Sequence, residues 1–143
     1  MDITIEKFAP RHLTDVAAIH SLVNDGWSQT GLKDDMENPT THSFVALAGG
    51  RAVAFCSYLV TFDAELLFVC THPDMRGKGV ATKLLTQSMA ALPQEITNIV
   101  LEVRSKNTPA LALYKKLGFT SLGLRKNFYS FPQDDAVVME LVK

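Results

Sequence analysis

The sequence predicts a single α/β domain, and three observations predict it. Apolar residues recur with period two in some stretches and at three-and-four spacing in others, so strands and helices interleave along the chain. Glycine and proline stand at the ends of these stretches and break few of them internally. At 143 residues the chain is long enough to bury roughly two thirds of its unfolded surface in one core, and residues 1–143 are read as one domain.

Residues 3–8 read as a short strand. Leu13, Val16, Ala17, His20 and Val23 then fall on one face of a helix. Trp27 and Ser28 precede a second short helical stretch containing Leu32 and Met36, with Ser28 as its N-cap. Residues 43–48 and 52–60 form two strands joined by Gly49 and Gly50, a hairpin signal. Residues 65–71 make a third apolar strand, expected at the centre of the sheet. The turn T-H-P-D-M-R-G-K-G-V-A leads into a helix whose Ala81, Leu84, Leu85, Met89 and Leu92 form one stripe before Pro93 stops it. In residues 98–104 the apolar Ile99, Leu101 and Val103 face one way, while Val100, Glu102 and Arg104 face the other. Thr108 and Pro109 supply a cap and a proline start for a short helix, which Gly118 ends. Residues 120–127 and 136–142 complete the order: strand, two helices, three strands, helix, strand, helix, two strands.

The formal net charge of −1 excludes a broadly basic nucleic-acid binder. That figure conceals a division. Residues 1–65 carry 4 basic and 9 acidic side chains, residues 66–133 carry 9 and 3, and residues 134–143 carry 1 and 3, so the middle is the part suited to a polyanion. No run of about 18 apolar residues is present to span a bilayer, and the N-terminal M-D-I-T-I-E-K-F-A-P-R lacks a signal-peptide pattern, which predicts a cytoplasmic protein. Cys56 and Cys70 sit in apolar runs without C-x-x-C spacing and are expected as buried free thiols. His12, His20, His42 and His72 lack metal-ligand spacing, so no metal is expected.

Two segments carry chemistry. In R-G-K-G-V-A, residues 76–81, backbone N–H groups and the positive end of the following helix point at whatever lies over the turn. Gly77 and Gly79 remove the Cβ atoms that hold a phosphate away, and Arg76 and Lys78 add positive charge. The pattern suits a pyrophosphate, although an ordinary glycine turn capping a helix would look the same and neither nucleotide-loop spacing is present. In the second segment, Glu102 lies opposite the apolar positions of its strand, and Tyr114 lies on the helix that leaves it. The structural alternatives are an exposed Glu102 paired with Arg104, and a Tyr114 packed beside Leu111 and Leu117.

These residues carry a resemblance. V-C-T-H-P-D-M-R-G-K-G-V-A resembles the acetyl-CoA-binding motif of the GNAT superfamily of N-acetyltransferases, [Q/R]-x-x-G-x-[G/A], here Arg76, Gly79 and Ala81. L-E-V-R-S-K-N-T-P-A-L-A-L-Y-K-K-L-G-F and the closing R-K-N-F-Y-S-F-P-Q-D-D-A-V-V-M-E-L resemble, more narrowly, the bacterial ribosomal-protein-alanine N-acetyltransferases, the RimI group. The resemblance implies a mixed, mostly antiparallel sheet of six or seven strands, with helices on both faces and a splayed central strand pair. It implies that Val69, Cys70 and Thr71 offer backbone groups to the pantetheine arm. Arg76, Gly77, Lys78, Gly79, Val80 and Ala81 wrap the pyrophosphate, and Asn107 contacts the cosubstrate acetyl-CoA. Glu102 matches the family's general base and Tyr114 its general acid, while Trp27 and Tyr129 match substrate-binding positions.

The implied reaction is direct acetyl transfer to an amine in a ternary complex. Stripping the proton from an α-amino group at pH 7 costs roughly 1.0–1.4 kcal/mol, against about 4.6 kcal/mol for a lysine amine, so a modest base suffices for a protein N-terminus. A ribosomal protein is the implied substrate class. Two further readings compete: a GNAT enzyme acting on a small-molecule amine or a lysine side chain, and a non-catalytic acetyl-CoA-binding module. A ping-pong scheme through Cys70 lacks an evident activating base. Phe128 stands where the group usually has the first of two adjacent tyrosines, which leaves only Tyr129 to donate there.

Overall fold

The structure, a computed structural model, describes residues 2–23 and 38–143. The predicted short helix of residues 28–36, with Trp27 before it, lies outside the described residues. The chain divides into two compact units, Met1–Thr61 with Leu66–Pro93, and Phe62–Glu65 with Gln94–Lys143.

The first unit contains β1 (Ile3–Lys7), α1 (Leu13–Val23), β2 (Thr41–Ala48), β3 (Arg51–Val60), most of β4 (Ala64–Thr71) and α2 (Val80–Ala91). β1 pairs antiparallel with β2, and β2 with β3. The β2–β3 hairpin turns on Gly49 at φ +59° and Gly50 at φ +79°, the pair of positive angles that a two-residue type I′ turn requires. Phe44, Val45, Ala46 and Leu47 are all buried. A strand with one wet face would alternate, so continuous burial means that a layer covers each side. α1 supplies one layer, with Val16 and Ile19 packed among Val45, Leu47 and Phe55. α2 supplies the other: its Ser88 Oγ hydrogen-bonds the Tyr58 hydroxyl at 2.7 Å and accepts from the Cys56 thiol at 3.6 Å. Phe55 and Cys56 are adjacent on β3 and so point to opposite faces.

The apolar stripe on α2 holds for Leu84, Leu85, Met89 and Leu92, which are buried, while Ala81 is half-buried. Ile19 and Ser88 are buried positions outside the predicted stripes. Burial pushes the Cys56 thiol up to about 12, which makes it inert. Cys70, expected as buried, is only half-buried: it packs against the edge of the α1 core cluster near the end of β4.

The second unit contains the first residues of β4 with β5 (Asn98–Arg104), α3 (Thr108–Leu117), β6 (Thr120–Tyr129) and β7 (Asp134–Val142). β7 pairs antiparallel with both β5 and β6. Ala64 and Glu65 pair in parallel with Ile99 and Val100. The strand order is β1-β2-β3-β4-β5-β7-β6, a seven-stranded mixed sheet with β4 fourth, as its apolar composition predicts. The β4–β5 ladder comprises those two pairs, so the backbone groups of Val69, Cys70 and Thr71 lie beyond it.

α3 corrects one expectation. Its N-cap is Asn107, not Thr108: the Asn107 Oδ1 accepts the Ala110 N–H at 3.2 Å, which places Thr108 and Pro109 inside the first turn. Proline is at home there because its missing donor has no intrahelical partner to lose. Gly118 ends the helix at φ +107°, a backbone angle that favours glycine, and a Cβ there would press on Leu141 Cδ1 at 3.0 Å. Among the described residues no helix is long and apolar enough to cross a membrane.

Candidate active site

The first unit holds the glycine turn. After β4, His72 donates its N–H to the Val53 carbonyl at 2.8 Å, and its Nδ1 accepts the Asp74 N–H at 3.1 Å. A 3-10 turn over Pro73–Met75 follows, and Arg76 resumes extended backbone. Gly77 at φ +75° and Gly79 at φ +77° are both left-handed, and Gly79 is the N-cap of α2. No side chain caps that helix, so its first N–H groups retain their capacity to bind an anion. A Cβ built on either glycine meets nothing within 4 Å, and Arg76 and Lys78 are exposed beside them. Open space, a helix N-terminus and two cations fit a pyrophosphate. Residues 76–79 thus form the turn, and Val80 and Ala81 open the helix that follows it. Lys83, further along α2, is engaged elsewhere: its ammonium donates to the Ile3 carbonyl.

The second unit holds the carboxylate and the phenols. β5 alternates fully, with Ile99, Leu101 and Val103 buried, and Glu102 and Arg104 half-covered on the other face. Glu102 does not pair with Arg104. Its two carboxylate oxygens each accept from Arg125 Nη1 at 3.1 Å, the arginine reaching from β6 past the intervening β7. Arg104 turns instead to the β6–β7 connection. Its guanidinium donates to the Pro132 carbonyl at 2.8 Å and lies 4.4 Å from the centroid of the Tyr129 ring. Arg125 likewise lies 4.6 Å from the centroid of Phe128, which meets Tyr129 edge-on at 5.0 Å. Two arginines therefore hold two adjacent aromatic rings, and one of the arginines also holds Glu102. Burial, and then the negative charge of Glu102, raise the Tyr129 phenol above its ordinary value.

Tyr114 is buried on α3 and packs edge-on against Phe119, with ring centroids 5.8 Å apart. Asn107, expected to contact acetyl-CoA, spends its side-chain carbonyl on capping the same helix. Trp27 lies outside the described residues. Sequence reasoning missed Arg125, the second role of Arg104, and Asp134.

Asp134 closes the connection that follows the aromatic pair at the end of β6. Its carboxylate accepts from the Ser105 hydroxyl, from the Lys106 N–H at 3.2 Å and from the Asp135 N–H at 2.7 Å. The Ser105 hydrogen bond, opposed by burial and helped by the two backbone donors, holds the carboxyl below its usual range. A folded-state value below the unfolded one contributes stability that is present above the unfolded value and lost as pH falls through the folded one. Asp134→Asn is therefore expected to melt lower than the parent at pH 7, with the gap closing only as pH falls below the ordinary carboxylate range and through the lowered folded-state value, where the parent carboxyl is protonated too. A melting gap independent of pH in thermal scans would exclude this.

Among the described residues no group of three or more His, Cys, Asp or Glu side chains is placed to hold a metal. The acetyltransferase (GNAT) family model matches residues 11–119, and the chain belongs to that family. It is 32% identical over 103 residues to the [ribosomal protein bS18]-alanine N-acetyltransferase of Escherichia coli, covering 69% of this chain and 70% of that one. It is 28% identical over 121 residues to the N-alpha-acetyltransferase RimI of Mycobacterium tuberculosis, covering 81% and 75%. The crystal structure of the ribosomal-protein-S18-alanine N-acetyltransferase from Escherichia coli superposes with a TM-score of 0.89 at 26% identity, covering 99% of this chain and 94% of that one.

Proposed function

We propose that this acetyltransferase moves an acetyl group from acetyl-CoA to the α-amino group of a protein N-terminus, with an N-terminal alanine of a ribosomal protein as the substrate. The observation that carries the reading is the carboxylate of Glu102, presented from β5 in a chain that superposes over 99% of its length on an enzyme named for that reaction. Acetyl-CoA, when bound, supplies the activated acyl group as a thioester. Residues 76–81 hold its pyrophosphate, and the backbone groups of Val69, Cys70 and Thr71 orient its pantetheine arm. Glu102 takes the proton of the attacking amine, Tyr114 returns a proton to the departing thiolate, and Tyr129 helps to hold the acceptor. On this reading residues 1–143 work as one domain, in the cytoplasm where its protein substrates are made.

A thiol-release assay with acetyl-CoA and a panel of amines tests it. Peptides beginning with alanine or serine are expected to turn over in preference to peptides whose only amine is an internal lysine, and to small amines. Preference for a small amine or lysine would overturn the acceptor, and tight acetyl-CoA binding without thiol release for any amine would overturn the enzyme. The charge on the glycine turn gives a separate expectation. Neutralising Arg76 or Lys78 should weaken acetyl-CoA binding by about three- to tenfold at low salt and by less at high salt, without lowering the melting temperature.

A further inference from the structure

Arg125 is fixed from two sides. One nitrogen sits 3.1 Å from both oxygens of Glu102, in the fork between them, and the guanidinium plane lies 4.6 Å from the Phe128 ring. Phe128 is in turn braced edge-on by Tyr129, over whose ring the Arg104 guanidinium lies. A carboxylate has about four lone-pair sites, so a donor in its fork leaves the outer sites available for a proton. At neutral pH most α-amino groups are still ammonium ions, since they titrate near about 7.7–8.0. An acceptor therefore approaches the carboxylate chiefly as a cation. A bare carboxylate would hold that cation as a salt bridge before reaction, and ground-state binding of this kind slows the following step.

We propose that Arg125 is a positioning residue for Glu102: by occupying the carboxylate's fork it fixes the direction of the outer oxygens and prevents the acceptor's ammonium from being trapped there. The inference rests on the reading of Glu102 as the base for a protein N-terminus.

Arg125→Gln is expected to lower the KM of an alanine-initiated, C-terminally amidated peptide by about three- to tenfold, and to lower kcat by a similar factor, so that kcat/KM changes little. The fall in KM should shrink at 0.5 M salt. Arg125→Lys, which keeps the charge, should stay near the parent. The same peptide with its amine acetylated carries no ammonium, and its inhibition constant should be equal for parent and Arg125→Gln. The pair is solvent-exposed, with side-chain exposures of 56% and 26%, so melting temperatures should move little. A KM that stays the same or rises in Arg125→Gln overturns the inference, as does an equal tightening of the acetylated peptide. If the parent enzyme turns over no N-terminal peptide, the functional reading fails first, and this inference with it.

Discussion

Glu102→Gln is expected to lower kcat for an N-terminal peptide by about 10²–10⁴-fold, the range over which a positioned base acts. The amide has the shape of the carboxylate and cannot take a proton. The fold should tolerate it. Glu102 lies on the half-covered face of β5, and the apolar neighbours that secure the strand, Leu101 and Val103, point the other way. What is lost structurally is an exposed ion pair with Arg125, worth less than about 1 kcal/mol. Acetyl-CoA affinity should stay within about twofold, because the substitution leaves the donors and charges of the glycine turn in place. Steady-state turnover at saturating acetyl-CoA, equilibrium binding of acetyl-CoA and a thermal melt separate the three effects. Parent-like turnover across the pH range would remove Glu102 from the role of base.

Strands whose two faces differ are legible because alternation is a local property. β5 is the plainest case: Ile99, Leu101 and Val103 read as one face in the sequence and are the buried residues in the structure. The hairpin at Gly49 and Gly50 is equally local, since two consecutive positive φ angles are a demand that glycine meets at little cost. Burial on both faces is harder to read. Phe44 to Leu47 show no alternation, and only the placement of α1 and α2 on opposite sides explains them. Element ends are legible where a turn residue marks them, as Gly118 marks the end of α3.

The partners of site residues were not legible, for a topological reason. The strand order β5-β7-β6 inserts the last strand between its two predecessors, so Arg125 reaches Glu102 across a strand that comes later in the chain. Arg104, two residues from Glu102 on the same strand face, looked like its natural partner. It is drawn instead to the carbonyl of Pro132 and the ring of Tyr129, both of which the β6–β7 connection brings over the end of β5. Asp134 illustrates the same limit. Its three donors come from Ser105, Lys106 and Asp135, and only the last is its neighbour in sequence. Asn107 shows how two demands meet on one residue: a matched cosubstrate position is also the cap on the helix that carries Tyr114.

Gly79→Val is expected to weaken acetyl-CoA binding by about 100-fold or more while leaving a folded protein. Gly79 sits at φ +77°, where a side chain costs roughly 1–2 kcal/mol, and more when branched at Cβ. That strain is a fraction of the 5–15 kcal/mol typical of a domain, so folding survives it. Beyond its own chain neighbours, nothing lies within 4 Å of an added Cβ, so the side chain starts out into open space. On the proposed reading its methyl groups stand in the space over the first N–H groups of α2 that the pyrophosphate uses. Losing one or two charge-assisted hydrogen bonds there, at about 1.5–3 kcal/mol each, gives the expected factor. Gly50→Val is the control. Gly50 has φ +79° and equally open surroundings, but it lies in the β2–β3 hairpin. The two variants should show comparable falls in melting temperature, and only Gly79→Val should lose acetyl-CoA binding by calorimetry. Equal affinity in both would take the pyrophosphate away from this turn.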